Sequence, residues 1–417
     1  MNGKNVAVIG GGASGLTAAI FCKRTDPECR VKIYERMDRV GKKLLVTGNG
    51  QCNLSNIYIS LEKYHGGPSD FVMQTFSVFG YQATIDFFAE IGVLTKTDQS
   101  GRIYPYSFQA SSVLDALRFE CERLGVQTVL GCEVTDLRRR NDGFQFTGAG
   151  RQYYADRIIL CGGGRSSAQC GSNGSCYSLL RQTGHTITEL FPAIVQVCAK
   201  NTNVARQLKG IKLNATASVL VNGQRLRQET GEVLFTDYGL SGPPILQLSR
   251  IISTHMSNGN TVEITLNLLP EYRIEQVKAM LVKRAAAISG RCMDQFFGGL
   301  INKRVGQVVV KGCNIPSQSH AGSLTAQDMN ALCATLQNFS FVCRGTRGFA
   351  NAQVTAGGAQ LDQFIPATME SRSMGGLYCC GELLDVDGDC GGYNLQWAWS
   401  SGACAGKACA LSFKQRF

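Results

Sequence analysis

Gly10, Gly12 and Gly15 make a G-x-G-x-x-G within KNVAVIGGGASGLTAAIFCKR, and Glu35 ends the next apolar run, VKIYE, 20 residues past the last glycine. Val6 to Ile9 read as a buried parallel strand. Gly10 then lets the chain turn tightly, Gly12 lets backbone approach a diphosphate, and Gly15 lets the following helix pack on the sheet. The helix N-terminus presents unpaired N–H groups and the positive end of its dipole, so it favours an anion without needing a lysine. Glu35, at the tip of the second strand, is placed to accept both ribose hydroxyls of an adenosine. The chain therefore opens on a β-α-β unit built for a dinucleotide.

A chain of 417 residues, 44% hydrophobic and 18% charged, has room for two or three domains with ample core. The longest apolar stretch, Val6 to Cys22, is full of glycine and already serves as strand, turn and helix. No membrane span is expected. No signal-peptide pattern precedes it, so a cytoplasmic protein is expected. The 18 cysteines are scattered through predicted strands and helices with no C-x-x-C, and His65, His185, His255 and His320 lie far apart. These features predict reduced thiols, structural histidines and no metal site. Asp385, Asp387 and Asp389 alternate as in a calcium loop, but the downstream glutamate is missing. The net charge is +11, and its densest run, Arg138-Arg139-Arg140, precedes the turn signal Asn141-Asp142-Gly143. A solvated hairpin is expected there. The surplus suits an anionic partner, whether a carboxylate small-molecule substrate, a phosphorylated cofactor or RNA. Nucleic acid is not expected, because the basic residues are dispersed and lack interleaved aromatics.

A glycine-rich loop follows the first unit from Val40 to Asn56, and Ser111-Ser112 begin a helix with Val113, Leu114, Leu117, Cys121 and Leu124 on one face. Strands at VQTVL, the Arg-rich hairpin and RIILCGGG come next. From Pro192 the texture changes to short alternating strands, with Asn222-Gly223 as a second hairpin signal. Helical periodicity appears from Arg273 to Val310, and Thr325 with Asp328 marks a capped helix start. The segment GGLYCCGELLDVDG then reads as a strand, and GGYNLQWAWSSGACAGKACAL as a small-residue helix. The expected plan is α/β: residues 1–191 and 346–417 form one Rossmann-like domain. It is interrupted at 192–345 by a β-barrel with a helical piece near 271–310.

Several phrases spread in order along the chain, VGKKLLVTGNGQCNLSN, GRIYPYSFQASSVLDAL, LFTDYGLSGPPILQLS, AQVTAGGAQL and GLYCCGELLDVDGDCGGYNLQWAWSSG, resemble one family. It is the bacterial family of NAD(P)/FAD-dependent oxidoreductases, the HI0933-like flavoproteins, that includes the 3-dehydro-bile-acid Δ4,6-reductase. The resemblance implies an FAD domain of two-dinucleotide-binding type interrupted by a barrel and a small helical subdomain. It also implies reduction of an activated C=C bond such as a 3-oxo-Δ4 steroid or bile-acid enone. Alternatives are an amine or aminoketone oxidase that uses oxygen, and a basic flavoprotein acting on RNA. Cys161 and Cys390 stand where the family commonly has other residues.

The implied cofactor is noncovalent FAD, with NAD(P)H as a transient electron donor, because no second glycine fingerprint follows a strand and opens a helix. The cofactor-contacting set is Gly10, Gly12, Ala13, Ser14, Gly15, Glu35, Arg36, Lys42, Lys43, Gly48, Asn49, Gly50, Cys52, Asn53, Val134, Gly162, Gly163, Gly381, Glu382, Gly391, Gly392, Tyr393 and Asn394. Within it, Gly48 to Asn53 would run along the flavin ring, Glu382 would hold the ribitol chain, and Gly391 to Asn394 would open the final helix toward the ring. The catalytic acid stays open among Tyr104, Tyr106, Ser107 and Tyr238; Cys52 either packs beside the ring or acts there, and Arg102 is available for a substrate anion. Oligomeric state is not legible.

Overall fold

The apolar run Val6–Ile9 is buried on both faces, which a parallel sheet requires of its central strands. In the computed structural model, which describes residues 4–414, Asn5–Ile9 form β1, the middle strand of five. The order is Leu377–Cys379, Arg157–Leu160, β1, β2 (Arg30–Tyr34) and Gln127–Val129, and every pairing is parallel. A strand near the C-terminus thus completes a sheet begun at residue 5. Helix α1 (Ala13–Thr25) follows β1 directly.

The final helix, Tyr393–Leu411, lies against α1 with backbone nearly on backbone. A Cβ on Gly402 would lie 2.5 Å from Ser14 O, and one on Gly406 would overlap Ala18 O. The small-residue texture of this helix is therefore a packing requirement. On the sheet's other side sits an antiparallel meander, Val134–Arg140, Gly143–Gly148 and Arg151–Ala155. Its Phe146 and Tyr153 meet Tyr34 of β2 at ring distances of 4.9 and 5.0 Å. Arg138 to Arg140 run into the expected hairpin and are exposed.

The segment 40–56 is more ordered than a loop. Lys42–Val46 form a short helix, α2, and Thr47–Gly50 a tight turn in which Gly48 and Asn49 are left-handed. Five residues are too few for apolar periodicity to announce a helix.

The chain divides into two compact units, residues 1–191 with 353–417, and residues 192–352. The second holds a closed barrel of six antiparallel strands in the order Val197–Ala199, Gly239–Ser241, Gln224–Phe235, Lys212–Val221, Val262–Asn267 and Phe339–Thr346. Closure leaves no sheet edge exposed. The sixth strand must pair with the first, Val197 with Thr346, so the barrel runs past residue 345 before the chain returns at Gln353. Asn222 and Gly223 turn the long hairpin with φ of 49° and 84°. The helical part comprises Ile274–Ala287, Lys303–Gly312 and Ala326–Gln337, the last begun by the Thr325–Asp328 capping box. It extends well beyond residue 310.

All 18 cysteines are free thiols. Among the described residues no cluster of His, Cys, Asp or Glu could hold a metal, and no helix is long and apolar enough to cross a membrane.

Candidate functional site

The carboxyl ends of the parallel strands carry the glycine turn, and ligands of open α/β sheets bind at such ends. Gly10 N–H donates to Tyr34 O (2.9 Å), and its φ of 108° is a left-handed conformation. A Cβ on Gly10 would lie 2.5 Å from Cys161 O, and one on Gly15 would overlap Gly10 O, so both positions need glycine to close the turn. Gly12 differs: a Cβ there would meet nothing within 4 Å. Helix α1 starts at Ala13 and Ser14 with no side-chain cap and no acid in its first turn. Its first N–H groups therefore meet no side-chain cap, and the space beside Gly12 is open.

Glu35 is buried at the end of β2. Gly11 N–H donates to Oε2 (2.7 Å) and Met37 N–H to Oε1 (2.8 Å), which fixes the carboxylate and leaves each oxygen a further lone pair. Glu35 O also accepts from Cys132 N–H (2.8 Å), bringing buried Val134 close to the same strand end. Arg36 lies 3.5 Å from Glu133, and Lys42 pairs with Asp38 at 2.6 Å.

Gly162 and Gly163 follow Arg157–Leu160 and border Cys176 and Ser172. Gly381 follows Leu377–Cys379 and sits against Ser14 Oγ at the start of α1. Glu382, next in sequence, accepts from Thr355 N–H at Oε1 (2.8 Å) and from Lys43 Nζ at Oε2 (2.5 Å). An acid that the sequence leaves on a strand end is thus tied down on both oxygens.

A second group surrounds the N-terminus of the final helix. Asn53, with its amide oriented to satisfy both ends, donates to Ser55 O and Ile103 O and accepts from Gly392 N–H (3.1 Å). Asn56 Nδ2 donates to Gly391 O (2.9 Å), and Arg102 Nε lies 3.7 Å from where a Gly391 Cβ would stand. Asn394 spans Gly388, accepting from its N–H and donating to its O, both at 2.8 Å. Tyr64 Oη donates to Tyr393 O (3.1 Å). Trp397 Nε1 donates to Gly381 O (3.0 Å), so one helix joins the two groups.

Gly48, Asn49 and Gly50 are exposed, whereas Cys52 is fully buried with φ of 57°. Burial pushes its thiol up to about 12, so it is neutral near pH 7. Tyr104 packs at a tilt against Phe108 (ring centroids 5.6 Å apart), Tyr106 is 61% exposed, and Ser107 Oγ donates to Ser112 Oγ. Tyr238 belongs to the barrel unit, where its ring lies under the Arg347 guanidinium at 4.6 Å. Sequence reasoning missed Asn56 and Thr355. Thr355 Oγ1 accepts from Arg165 and Ser166 N–H while its own N–H orients Glu382. It lies inside the phrase AQVTAGGAQL, which drew attention without singling out a residue.

The HI0933-like protein Rossmann domain family matches residues 4–408. The chain belongs to this family, one of FAD-dependent oxidoreductases. It is 38% identical over 405 residues to a 3-dehydro-bile acid delta(4,6)-reductase of Clostridium scindens, covering 97% of this chain and 98% of that one. It is 30% identical over 403 residues to a ribosomal RNA dihydrouridine synthase of Escherichia coli, covering 95% and 96%. In fold it resembles the 3-ketosteroid delta1-dehydrogenase of Sterolibacterium denitrificans (TM-score 0.54, 12% identity, 98% of this chain and 100% of that one). A quinol-fumarate reductase is similar in the same sense (TM-score 0.51, 14% identity, 99% and 72%).

The residues present fit FAD. Open space at Gly12 before an uncapped helix suits a diphosphate, and the buried Glu35 carboxylate with lone pairs to spare suits adenosine ribose.

Proposed function

We propose that this protein uses FAD and NAD(P)H to reduce a C=C bond conjugated to a carbonyl. One observation carries the reading. Two relatives that match nearly the whole chain are named for different substrates, yet the names converge on one reaction. A 3-oxo-Δ4,6 system is a conjugated enone, and dihydrouridine is uridine in which the C5=C6 bond conjugated to the C4 carbonyl has been saturated.

FAD, when bound, supplies the hydride through its N5. The chain's own task is to hold, orient and balance charge. The start of α1 offers N–H groups and dipole to the diphosphate, and Glu35 offers its remaining lone pairs to the ribose. The final helix begins at Tyr393 with no acid in its first turn, so its positive end favours an anion near Gly391 and Gly392. Arg102 adds a cation at the same place. Saturating an enone puts negative charge on the carbonyl oxygen and requires a proton at the α-carbon. Arg102 and Tyr104, on the strand Arg102–Pro105, are the polar residues we assign to the substrate side of this site.

The charge distribution favours RNA uridine as the substrate. Residues 192–352 hold 17 of the 42 Lys and Arg but only 8 of the 31 Asp and Glu. Nine of the eleven surplus positive charges therefore lie in the barrel unit, although the same residues look dispersed along the sequence. A mixed-charge surface would suffice for a bile acid; a concentrated basic one suits a polyanion.

The test is anaerobic. Holoenzyme reduced with NADPH or NADH is mixed with a 3-oxo-Δ4 steroid, a bile-acid enone or protein-free ribosomal RNA, and flavin reoxidation is followed. Reoxidation by an enone or by RNA uridine is expected. Reoxidation only by oxygen would replace the reading with that of an oxidase.

A further inference from the structure

The helices attached to the barrel frame an open cleft of about 650 Å³ whose walls come from the barrel unit alone. Gln207, Arg304, Gln307, Lys311, Ser317 and Gln318 line it, and Asp294 is its one acid. Its size lies in the range of about 300–1,000 Å³ common for ligand sites, and its lining mixes these polar groups with the apolar Val308, Val310 and Ile315, where such sites are mostly apolar. An occupant with polar groups that stays partly solvated suits such an open, mixed lining.

The surrounding charge narrows the choice. Three of the unit's eight acids are taken up by neighbouring bases, in the pairs Lys209–Asp237, Lys212–Glu232 and Arg227–Glu229. Lys303 and Lys311 are exposed at opposite ends of the helix Lys303–Gly312 and make no ion pair among the described residues. Arg304 donates to Gln207 O, which holds its guanidinium at the cleft. A guanidinium fork and free ammonium groups match phosphate oxygens, while three glutamine amides can both donate to and accept from ribose hydroxyls and base edges.

We propose that this cleft, lined by Arg304 and Lys311 and with Lys303 beside Arg304 on the same helix, docks the sugar-phosphate backbone of single-stranded RNA. The proposal rests on the reading of RNA uridine as substrate and adds where the RNA is held. The binding energy has a large electrostatic part, so affinity falls steeply as salt rises.

The test compares FAD-loaded wild type with the triple variant Lys303→Glu, Arg304→Glu, Lys311→Glu. A second variant places Gln at the same three positions, and a control carries Arg138→Glu, Arg139→Glu and Arg140→Glu on the hairpin of the other unit. Binding of a labelled single-stranded RNA of about 20 nucleotides is measured across a salt series, together with enone-driven flavin reoxidation. In the Gln variant, affinity is expected to fall at least about tenfold, and the slope of log K against log salt to become shallower by about 2. The Glu variant should lose more, the hairpin control little, and enone-driven reoxidation should be unchanged in all three. Wild-type affinity in a folded, flavin-loaded Gln variant would overturn the docking site while leaving uridine reduction intact. An equal loss in the hairpin control would overturn it as well, since the effect would then be one of net charge. If wild type neither binds RNA nor reduces its uridines, the RNA reading fails along with the site.

Discussion

Lys43 Nζ lies 2.5 Å from Glu382 Oε2, an ion pair that joins α2 to the turn after the terminal strand across 339 residues of sequence. Both side chains are mostly buried, at 25% and 20% exposure. Thr355 N–H holds the other oxygen of Glu382, so the carboxylate keeps its place when the lysine is removed.

Glu382→Gln should therefore be milder in shape than in charge. It keeps the bond from Thr355 and leaves Lys43 without its partner, at a stability cost of about 1 kcal/mol. If Glu382 also holds the flavin's ribitol chain, FAD should dissociate faster than this stability loss explains. Urea unfolding of apo and holo forms separates the two: equal losses in both would show that Glu382 has no role in retaining the cofactor.

The two glycines of the turn should fail differently. Gly12→Val adds a side chain where nothing lies within 4 Å, at an ordinary negative φ of −81°, so the protein should fold. It should be recovered nearly free of FAD, because the added side chain fills the space needed by the diphosphate. Gly15→Val drives a side chain into Gly10 O and should yield little folded protein. Circular dichroism and flavin content of the two purified variants decide the matter; FAD-replete Gly12→Val would remove the diphosphate from this place.

These contrasts show what the sequence carries. The glycine turn is legible because its requirements are local: φ at Gly10, crowding at Gly15 and a strand before a helix. The barrel is legible from alternation, and its hairpin from Asn222-Gly223. Contacts across hundreds of residues are not. Nothing near Asn53 announces that it bonds Gly392 N–H, and nothing in GACAG says that Gly402 and Gly406 are small in order to admit α1. The charge asymmetry is a middle case. It is present in the composition but appears only once the boundaries at 192 and 352 are known.

His185 gives stability a pH dependence. It is buried, with Thr183 Oγ1 at 3.0 Å and Ser371 Oγ at 2.8 Å from its ring nitrogens, and stacks on Phe364 at 5.0 Å. Burial lowers its pKa below the ordinary 6.5, so the folded state keeps the ring neutral. The unfolded chain binds this proton more readily. Stability from this group is therefore full above about pH 6.5 and is lost as pH falls below that value. Urea midpoints at pH 7.5 and 5.5 should differ less in His185→Asn than in wild type. An unchanged difference would assign the acid sensitivity to other groups.

With one recognisable dinucleotide fingerprint and one flavin, nicotinamide and substrate are expected to use the same ring face in turn, giving parallel double-reciprocal plots. Asn53 and Asn394 act through backbone at the start of the final helix, the first on Gly392 and the second on Gly388. Replacing either with Ala should slow flavin reduction or reoxidation by about tenfold, the effect of misplacing an oriented group by a fraction of an ångström, with little change in adenosine affinity. Glu35→Ala should do the reverse. It removes the acceptor of Gly11 and Met37 N–H as well as the proposed ribose contact, so FAD affinity should fall by roughly 1.5–3 kcal/mol, while holoenzyme that forms keeps near-normal half-reactions. Stopped-flow traces of each half-reaction test both limbs. Wild-type rates in both asparagine variants would place the reacting ring away from Gly391 and Gly392. Intersecting rather than parallel plots would mean that nicotinamide and substrate occupy the enzyme together.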